Sequence, residues 1–319
     1  MRKFLRNSRG VALILTIMIV GLIVALTIQF NRDMRAHVVS TGNIGHGLKA
    51  LYAAKSGTSC GLGMLMEDSQ EVDTLSDLWA VDDNLAGISA GSQALFPGGR
   101  FKLKIEDLSG KIQINSLVNK DGNYDIEQQD VLTRFLSLKE FGLETEEADD
   151  IVAAIKDWID TDGDVTSFGA EDDYYRSLER PYHCKNGQLD SPEELLLVKG
   201  ITRELFYGTE GRPGISAYIS VFGDGKININ TADIMVLKSL HDEMNVMADL
   251  VVEERNKDTT DLSGQWFTTF ITDPMQYVVL KSRYFRITSD GYTGKIMRRA
   301  VAVVERKKED FQTLSWKIE

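Results

Sequence analysis

The chain begins with a long run of apolar positions close to its amino terminus. Residues 11–30 read VALILTIMIVGLIVALTIQF, twenty residues without a charged side chain. Twenty residues of α-helix rise about 30 Å, which matches the hydrocarbon core of a bilayer. The run therefore predicts a membrane-spanning helix. The basic residues of MRKFLRNSRG before it place that end in the cytoplasm by the positive-inside rule, with everything after Phe30 outside.

Apolar runs near an amino terminus also occur in secretory signal peptides and in ordinary single-pass anchors. A secretory signal peptide has an apolar region of about 7–15 residues and a small-residue cleavage site, and this sequence has neither. An ordinary single-pass anchor stays open on composition alone.

Beyond the membrane run, apolar positions recur at spacings of three and four as far as about Met66, which predicts an amphipathic stalk helix. The stripe consists of Val38, Val39, Ile44, Leu48, Leu51 and Tyr52. Glycines at positions 42, 45, 47, 57, 61 and 63 weaken the helix, each by roughly 1 kcal/mol relative to Ala. Either these glycines allow close approach in a row of packed helices, or the stalk is bent or partly melted.

Alternation of apolar and polar positions predicts strands in two places. Residues 101–105 alternate, and residues 112–114 alternate after a Ser109-Gly110 turn, which predicts a half-buried hairpin. The strands predicted to return to the same sheet are residues 284–287 and 297–304, with an Asp290-Gly291 turn between them. The segment between the two strand groups is mainly helical in pattern, so the architecture is α+β with a large helical insertion.

Charge narrows the classes of function. The chain has 48 acidic and 36 basic residues, a net charge of −12 and a pI near 4.9. An acidic body repels phosphate backbones, so nucleic acid is a poor partner. The sequence has no nucleophile elbow, phosphate loop or dinucleotide fingerprint, and its four histidines show no metal-ligand spacing. No enzymatic function is expected.

The residues directly before the membrane run carry a more specific signal. A short basic leader ending in Arg9-Gly10 and followed at once by a membrane helix resembles a type IV prepilin signal. The resemblance implies that a prepilin peptidase cuts after Gly10 and leaves the helix in the mature protein. Val11 would then be the N-methylated first residue.

The fifth mature position departs from the usual pilin pattern. Most pilin-like proteins carry Glu there, where it meets the terminal amine of the neighbouring subunit, but this chain has Leu15. Within the resemblance, lack of this Glu is typical of the type II secretion minor pseudopilin GspK family. A subunit at the tip has no neighbour above it whose amine needs a partner.

The segment between the two strand groups resembles the same family in several stretches. Residues 111–115 and 226–230 form a weak internal repeat of the type K-I-x-I-N. Residues 157–160 and 169–175 look like the family's W-I-D and G-A-E-D-x-Y stretch, and residues 191–206, SPEELLLVKGITRELF, look like its next helical pair. Each piece is weak, but their order and spacing make the set specific, and the likeness spans nearly the whole chain.

The last of these stretches also suggests a DNA-binding motif. Ser191, Pro192 and Glu194 form a capping-box sequence, Gly200 ends that helix, and Thr202 can cap the next one. Residues 197–202 thus resemble a helix-hairpin-helix, which often grips phosphates through backbone amides. Acidic residues surround it, so a sterile-alpha-motif-like helical pair used for packing is favoured over phosphate binding.

Carboxylates cluster between the W-I-D stretch and the tyrosines. When Asp160 is counted as loop position one, Asp162, Asp164 and Glu171 fall at positions three, five and twelve, the spacing of a calcium loop. Val165 stands where an EF-hand has its invariant glycine, so the turn is not a standard one. The spacing leaves two alternatives open, a calcium site or a loop screened by water and salt.

The family resemblance implies a structural calcium ion in this insertion. It carries over most directly to Asp160, Glu171 and Asp172, which stand in the matching motifs. Asp162, Asp164 and Asp173 complete the predicted ligand set from their position alone.

The two cysteines allow at most one internal disulfide. If the body is outside the cytoplasm, Cys60 and Cys184 can pair, provided that their Cα atoms meet within about 7 Å. The alternative is that Cys60 stays free and buried.

Together these features predict a pilin-like α+β fold with a long N-terminal transmembrane helix, an antiparallel sheet and a large inserted SAM-like helical domain. The predicted division is a prepilin leader (1–10), transmembrane helix and stalk (11–66), first part of the pilin-like body (67–115), acidic helical insertion (116–282) and returning strands (283–319).

The resemblance implies a non-enzymatic minor pseudopilin at the tip of the type II secretion pseudopilus, which initiates or caps assembly for the export of folded proteins. Its implied partners are the minor pseudopilins GspI, GspJ and GspH, the major pseudopilin and the prepilin peptidase. It would cross the bacterial inner membrane once, with its amino terminus cytoplasmic and its body periplasmic. The alternative is a membrane-tethered helix-hairpin-helix DNA-binding protein of an uptake apparatus.

Overall fold

The membrane run and the stalk form one unbroken helix, α1 (Ser8–Glu67). This computed structural model describes residues 8–68, 71–96, 98–257, 262, 266–270, 276–308 and 310–319, so most of the predicted leader lies outside the described residues. Helix α1 is long and apolar enough to cross a membrane, and the most apolar part of it is not buried by the rest of the chain. The continuous stalk is confirmed as far as Glu67.

The remaining helices are short. They are α2 (Asp82–Leu95), α3 (Ile126–Leu136), α4 (Thr145–Ile159), α5 (Asp172–Arg176), α6 (Arg203–Tyr207), α7 (Ile234–Leu240) and α8 (Met244–Arg255), with 3-10 turns at Ile114–Leu117, Pro192–Leu197, Ile215–Ala217 and Trp266–Thr269. The strands are β1 (Gly99–Asp107), β2 (Ile112–Gln113), β3 (Gly208–Thr209), β4 (Arg212–Pro213), β5 (Ile219–Ser220), β6 (Ile227–Asn228), β7 (Val278–Val279), β8 (Tyr284–Thr293), β9 (Ile296–Arg306) and β10 (Phe311–Ile318).

The four long strands form one antiparallel sheet in the order β1-β8-β9-β10. Strand β1 pairs with β8, with Phe101 opposite Gly291, and β10 closes the other edge. The predicted α+β fold with a long membrane helix and an antiparallel sheet is confirmed. The predicted hairpin between residues 101–105 and 112–114 is wrong, because β2 pairs in parallel with β5 instead.

The turn predicted at Asp290-Gly291 is also wrong. Both residues lie inside β8, and the chain reverses at residues 294–295, where Gly294 has a φ of +59°. Gly291 is needed for another reason, since a Cβ there would lie 2.0 Å from the carbonyl oxygen of Ala50 in α1. Glycine in a strand here marks a close approach of two backbones.

The same close approach continues along α1 and fixes its direction relative to the sheet. A Cβ at Gly57 would meet Ser289, and one at Gly61 would lie 2.8 Å from Cγ2 of Ile287. From Gly291 back to Ile287, the residues of β8 therefore contact successively later residues of α1, which lie farther from the membrane run. Two of the stalk glycines thus pack against the sheet of their own chain, and α1 remains helical there.

Helix α2 covers one edge of this sheet, at β1. At the β1 edge, helix α2 supplies hydroxyl groups to the outer backbone, since Phe101 N–H donates to Ser92 Oγ at 3.0 Å and Leu103 N–H to Ser89 Oγ at 3.2 Å. Satisfying these groups blocks that edge against pairing with another chain. Helix α2 was not predicted from the sequence.

The long segment between β1 and β8 forms a second, larger core. Apolar side chains from α3, α4, α7 and α8 pack with those of the intervening turns, and Ile112 and Ile114 belong to this core. A separate core under α1 contains Phe101, Phe285 and Ile287. The structure therefore begins the insertion directly after β1, a few residues before the predicted boundary at residue 116.

The insertion leaves the sheet at its membrane-distal end. Strand β1 ends at Asp107, which lies opposite Phe285 at the start of β8. Gly99 and Thr293, at the other end of this pair, lie towards the membrane run of α1. The insertion is thus placed beyond the far end of the sheet.

A buried polar cluster joins the insertion to the sheet. Asp107 accepts hydrogen bonds from Ser282 Oγ at 2.5 Å and from Thr231 Oγ1. Asn228 of the insertion donates to the carbonyl of Asp73 at 3.1 Å and to Ser282 Oγ at 2.7 Å. Since buried polar groups are costly when unpaired, this network favours one orientation of the insertion.

Arg306, at the end of β9, completes that cluster from the sheet side. Its Nη1 lies 2.6 Å from Oδ2 of the fully buried Asp73, and its Nη2 lies 3.1 Å from Oδ2 of Asp68. Burial of a carboxylate needs such a partner. The segment after α1 is thereby tied to the sheet at the same place as the insertion.

Two stalk glycines provide a matched test of the helix–sheet contact. Gly61→Ala should destabilise the body by about 1–3 kcal/mol, because the new methyl group would overpack against Ile287. Gly63→Ala should be neutral or stabilising by up to about 1 kcal/mol, because nothing lies within 4 Å of that site. Chemical denaturation of the full chain in detergent measures both, and equal effects of the two substitutions would contradict this packing.

Candidate metal centre

The acidic loop lies between helices α4 and α5. Helix α4 starts with a capping box between Glu144 and Glu147 and ends at Ile159, so that Asp160 is its C-cap residue. Glu171 is the N-cap residue of α5. The rings of Trp158 and Tyr175 hold the two helices together in a T-shaped contact with 5.0 Å between centroids. This packing brings the two ends of the loop side by side.

Three carboxylates converge in this loop. Asp160, Asp162 and Glu171 each offer one oxygen, and these oxygens lie within 4.8 Å of one another. Calcium takes oxygen ligands at about 2.3–2.6 Å, so ligands on opposite sides of the ion are separated by about twice that distance. The spacing of the three oxygens suits a hard divalent cation.

Two oxygens of these carboxylates have no hydrogen-bond partner although they are buried. Asp160 is 1% exposed and Glu171 is 4% exposed, and neither Oδ1 of Asp160 nor Oε1 of Glu171 accepts a hydrogen bond. Buried carboxylate oxygens are normally satisfied, so their convergence without partners points to a ligand. The residues present therefore fit a cation at this position.

A buried lysine neutralises the opposite side of Asp160. Lys156 Nζ lies 2.5 Å from Oδ2 of Asp160 and 2.9 Å from Oγ1 of Thr166. One lysine cannot balance the three acids at 157, 160 and 171, all of which are buried. The cluster keeps an excess of negative charge.

Burial, together with that excess charge, raises the pKa values of the acids. Burial, together with the charges of Asp157 and Asp160, raises the pKa of Glu171 to about 7. Burial also raises the pKa of Asp160 and that of Asp157, against the opposing effect of Lys156. A bound cation would reverse these shifts, because it favours the ionised carboxylates.

The other predicted ligands lie elsewhere. Oδ1 of Asp172 accepts a hydrogen bond from the backbone N–H of Cys184 and lies 2.9 Å from Nδ1 of His183, so this carboxylate holds the segment after α5. Asp164 donates its backbone N–H to Asp162, and Asp164 and Asp173 are exposed. The structure brings together Asp160, Asp162 and Glu171 and leaves Asp164, Asp172 and Asp173 outside the cluster of three.

Two residues of the site were missed from the sequence. Asp157 is fully buried, and both of its carboxylate oxygens accept the backbone N–H of Thr166 at 3.1 Å. Its position three residues before Asp160 on a helix was the available signal. Asn186 has a φ of +45°, donates to the carbonyl of Asp162 at 2.5 Å and leaves its buried Oδ1 without a partner. No spacing rule pointed to Asn186.

The two cysteines are free thiols in the structure. Cys60 packs against the core under α1, whereas Cys184 packs against the core of the insertion. The pairing considered from the sequence is therefore not formed, because the two residues belong to different packing units. Burial raises the pKa of the Cys184 thiol to about 12, which keeps it protonated.

The helix-hairpin-helix-like stretch packs inward. The predicted capping box at Ser191 and Glu194 and the cap at Thr202 are both formed. Gly200 has a φ of +86°, and a Cβ there would lie 2.7 Å from Cγ1 of Ile151 in α4. The hairpin glycine thus serves close packing on α4.

The predicted processing residues lie on the exposed amino-terminal part of α1. Gly10 and Val11 fall in the first turn after Ser8, and Leu15 follows one turn later with 56% of its surface exposed. All three precede the contact of α1 with the sheet.

These features define the class of protein: a chain with a long N-terminal helix that is apolar enough to cross a membrane, and an α1-on-sheet body that is interrupted by a helical domain. The chain matches the family described as "Type II secretion system (T2SS), protein K" over residues 110–213, which lie within the insertion. It is 29% identical to type II secretion system protein K of Aeromonas hydrophila over 240 residues, or 71% of this chain and 68% of that protein. The protein of the same name from Pseudomonas aeruginosa is 26% identical over 327 residues, covering 95% of this chain and 90% of that one.

A solved structure has the same fold. A chain from the crystal structure of the GspK-GspI-GspJ complex of enterotoxigenic Escherichia coli superposes with a TM-score of 0.66 at 18% identity, over 88% of this chain and 99% of that chain. In sequence the chain is thus similar to type II secretion system protein K (GspK) proteins, and in fold it is similar to a chain of that complex.

The raised pKa of Glu171 has a measurable consequence in the metal-free protein. Its folded pKa of about 7 exceeds the unfolded value of about 4.3, so its contribution to stability is present below about pH 4 and is lost as the pH rises through 7. In the presence of a chelator, Glu171→Gln should therefore raise the melting temperature relative to the parent at pH 8 much more than at pH 5. Glu179→Gln, at an exposed position on the same segment, is the control. The same difference at both pH values would contradict the raised pKa.

Proposed function

We propose that this chain is the minor pseudopilin at the tip of the type II secretion pseudopilus, where it initiates or caps assembly. The observation that carries this proposal is the position of the insertion beyond the membrane-distal end of the sheet. Subunits of a pilus pack with their helices side by side and their bodies stacked along the axis. A helical domain above the sheet leaves no place for another body over this one.

The absence of a carboxylate at the fifth mature position supports the same place. Cleavage after Gly10 would make Val11 the first residue and Leu15 the fifth. Leu15 has no charge with which to bind the terminal amine of a subunit above it. A subunit with nothing above it does not need that ion pair.

The proposal includes an orientation and a set of partners. The basic residues before α1 favour a cytoplasmic amino terminus and a periplasmic body, anchored in the inner membrane. By likeness to the GspK-GspI-GspJ complex, the direct partners would be the minor pseudopilins GspI and GspJ. The prepilin peptidase would process the chain, and GspH and the major pseudopilin would follow in the filament.

The metal centre would serve this role as a structural calcium site. Asp160, Asp162 and Glu171 would hold the ion, and calcium would supply the positive charge that the buried acids lack. Asp157 and Lys156 would position the loop, and Asn186 would hold its backbone at Asp162. The ion would thereby fasten α5 and the loop to the end of α4.

Placement at the tip can be tested on filaments. When pseudopili are overproduced, gold-labelled antibody against an epitope tag in the exposed turn at Gly122 should mark one end of each filament. A tagged major pseudopilin, labelled in parallel, should be marked along the whole length. Label from this chain along the length would reject the tip position, and normal secretion without the chain would reject a role in assembly.

Calcium binding can be tested by thermal denaturation. Calcium at 100 times its Kd should stabilise the parent by about 2.7 kcal/mol, seen as a rise in melting temperature that a chelator abolishes. Asp160→Asn and Glu171→Gln should remove that rise, whereas Asp173→Asn, at an exposed position outside the cluster, should keep it. Magnesium should have a smaller effect, because it requires a stricter octahedral site. A calcium-dependent rise that survives both substitutions would place the ion elsewhere.

A further inference from the structure

An open groove runs between α1 and the start of β9, on the membrane-proximal side of the body. Its volume is about 1020 Å³. The groove is lined by one face of α1 and by the first residues of β9, among them Arg35, Val39, Ile44, Leu48, Ile296 and Arg298. Nothing described in the chain covers these α1 residues, since Val39, Ile44 and Leu48 are 62%, 63% and 51% exposed.

We propose that this groove binds the stalk helix of a second membrane-anchored subunit and recognises an acidic side chain on that helix. The proposal rests on the proposed function in that the second subunit would be a pilin-type neighbour. It adds to that function a specific contact surface and the charge that the neighbour must carry.

The shape of the groove favours a helix that runs beside α1. The lining residues of α1 recur every three or four positions from Arg35 to Leu51, so they form a stripe along one face of the helix. Ala36, Ser40 and Gly47 within this stripe are small and would let a second helix approach closely. Helix α1 continues from this stripe through Asn31 and Arg32 into the apolar run that ends at Phe30. An occupant that covers the stripe and also continues into the bilayer is itself an anchored helix.

The charges of the groove favour an acid on that helix. Arg35 and Arg298 are the ionisable residues among its lining, in a chain whose net charge is −12. Neither guanidinium forms an ion pair with a carboxylate in the described part of the chain, whereas the adjacent Arg299 is bound by Asp290 at 2.6 Å. Two unpaired arginines beside an apolar stripe attract a carboxylate, and Arg can bind it through two parallel hydrogen bonds.

The β1 edge of the sheet is closed to such a neighbour. Helix α2 lies over β1, and its serines satisfy the outer backbone groups of that edge. The groove therefore lies on the side of the body where a laterally packed subunit has access to both α1 and the sheet.

Two adjacent valines make a matched pair for testing this contact. Val39 lines the groove, whereas Val38 does not, although it is equally exposed at 66%. One residue step rotates the helix by about 100°, so Val38 faces away from the centre of the stripe. A photo-crosslinking amino acid at each position, in the full chain expressed with the complete secretion system, samples two directions around α1 that are about 100° apart, at nearly the same height.

We expect the probe at Val39 to crosslink to one other membrane subunit, at an acidic segment of its stalk that mass spectrometry would locate. The probe at Val38 should give at least about tenfold less of this product, and Arg35→Glu or Arg298→Glu should reduce the Val39 product similarly, because like charges would then meet. Lys104→Glu, on the face of β1 opposite to α1, makes the same charge change and should have no effect. Exchange of the mapped acid for Lys on the neighbour should restore crosslinking to Arg298→Glu.

Several results would overturn the inference. Equal crosslinking from Val38 and Val39, a product that is a second copy of this chain, crosslinks to lipid alone, or insensitivity to Arg35→Glu and Arg298→Glu would each do so. These outcomes differ from a failure of the proposed function. The groove contact would fail while the chain still labelled filament ends, whereas a wrong tip assignment would leave the crosslink intact and move the label.

Discussion

The close contact between α1 and the sheet is the constraint on which the rest of the structure depends. At Gly57, Gly61 and Gly291 the two elements approach so closely that a single methyl group would collide with the other side. This contact fixes α1 as the axis of the body and gives the sheet a membrane-proximal and a membrane-distal end. The position of the insertion and the location of the groove both follow from that axis.

The insertion is a second packing unit on this frame, with its own core and a polar joint to the first. Asp107, Ser282 and Asn228 form the joint, and Arg306 with Asp73 ties the segment after α1 into it. Such a joint depends on direction, because each of its buried hydrogen bonds requires its donor and acceptor to be placed correctly. An apolar joint of the same area would allow the insertion to tilt.

The acidic loop shows how much a spacing rule can predict. Counting carboxylates from Asp160 included Asp160, Asp162 and Glu171, the three residues that the structure brings together. The same count also included Asp164, which is exposed. Position alone added the exposed Asp173, and the family likeness added Asp172, whose carboxylate instead holds the backbone at Cys184. The count assumes the curved path of an EF-hand loop, and Val165 stands where that path needs glycine. Asp157 was not predicted because it lies before the loop, on α4. Asn186 was not predicted because it reaches the site from a distant turn.

The sequence by itself determined the elements whose cause is local: the membrane helix from its unbroken apolar run, the helix caps at Ser191 and Thr202, and the acidic loop. It did not determine which strands pair. Residues 112–114 alternate as a strand should, yet they enter the core of the insertion, and residues 290–291 look like a turn but lie inside β8. The choice of partner for β1, the role of the stalk glycines and the free state of both cysteines depend on which distant surfaces meet. Only the tertiary structure decides that, because the sequence around a strand or a glycine does not specify which distant residues pack against it.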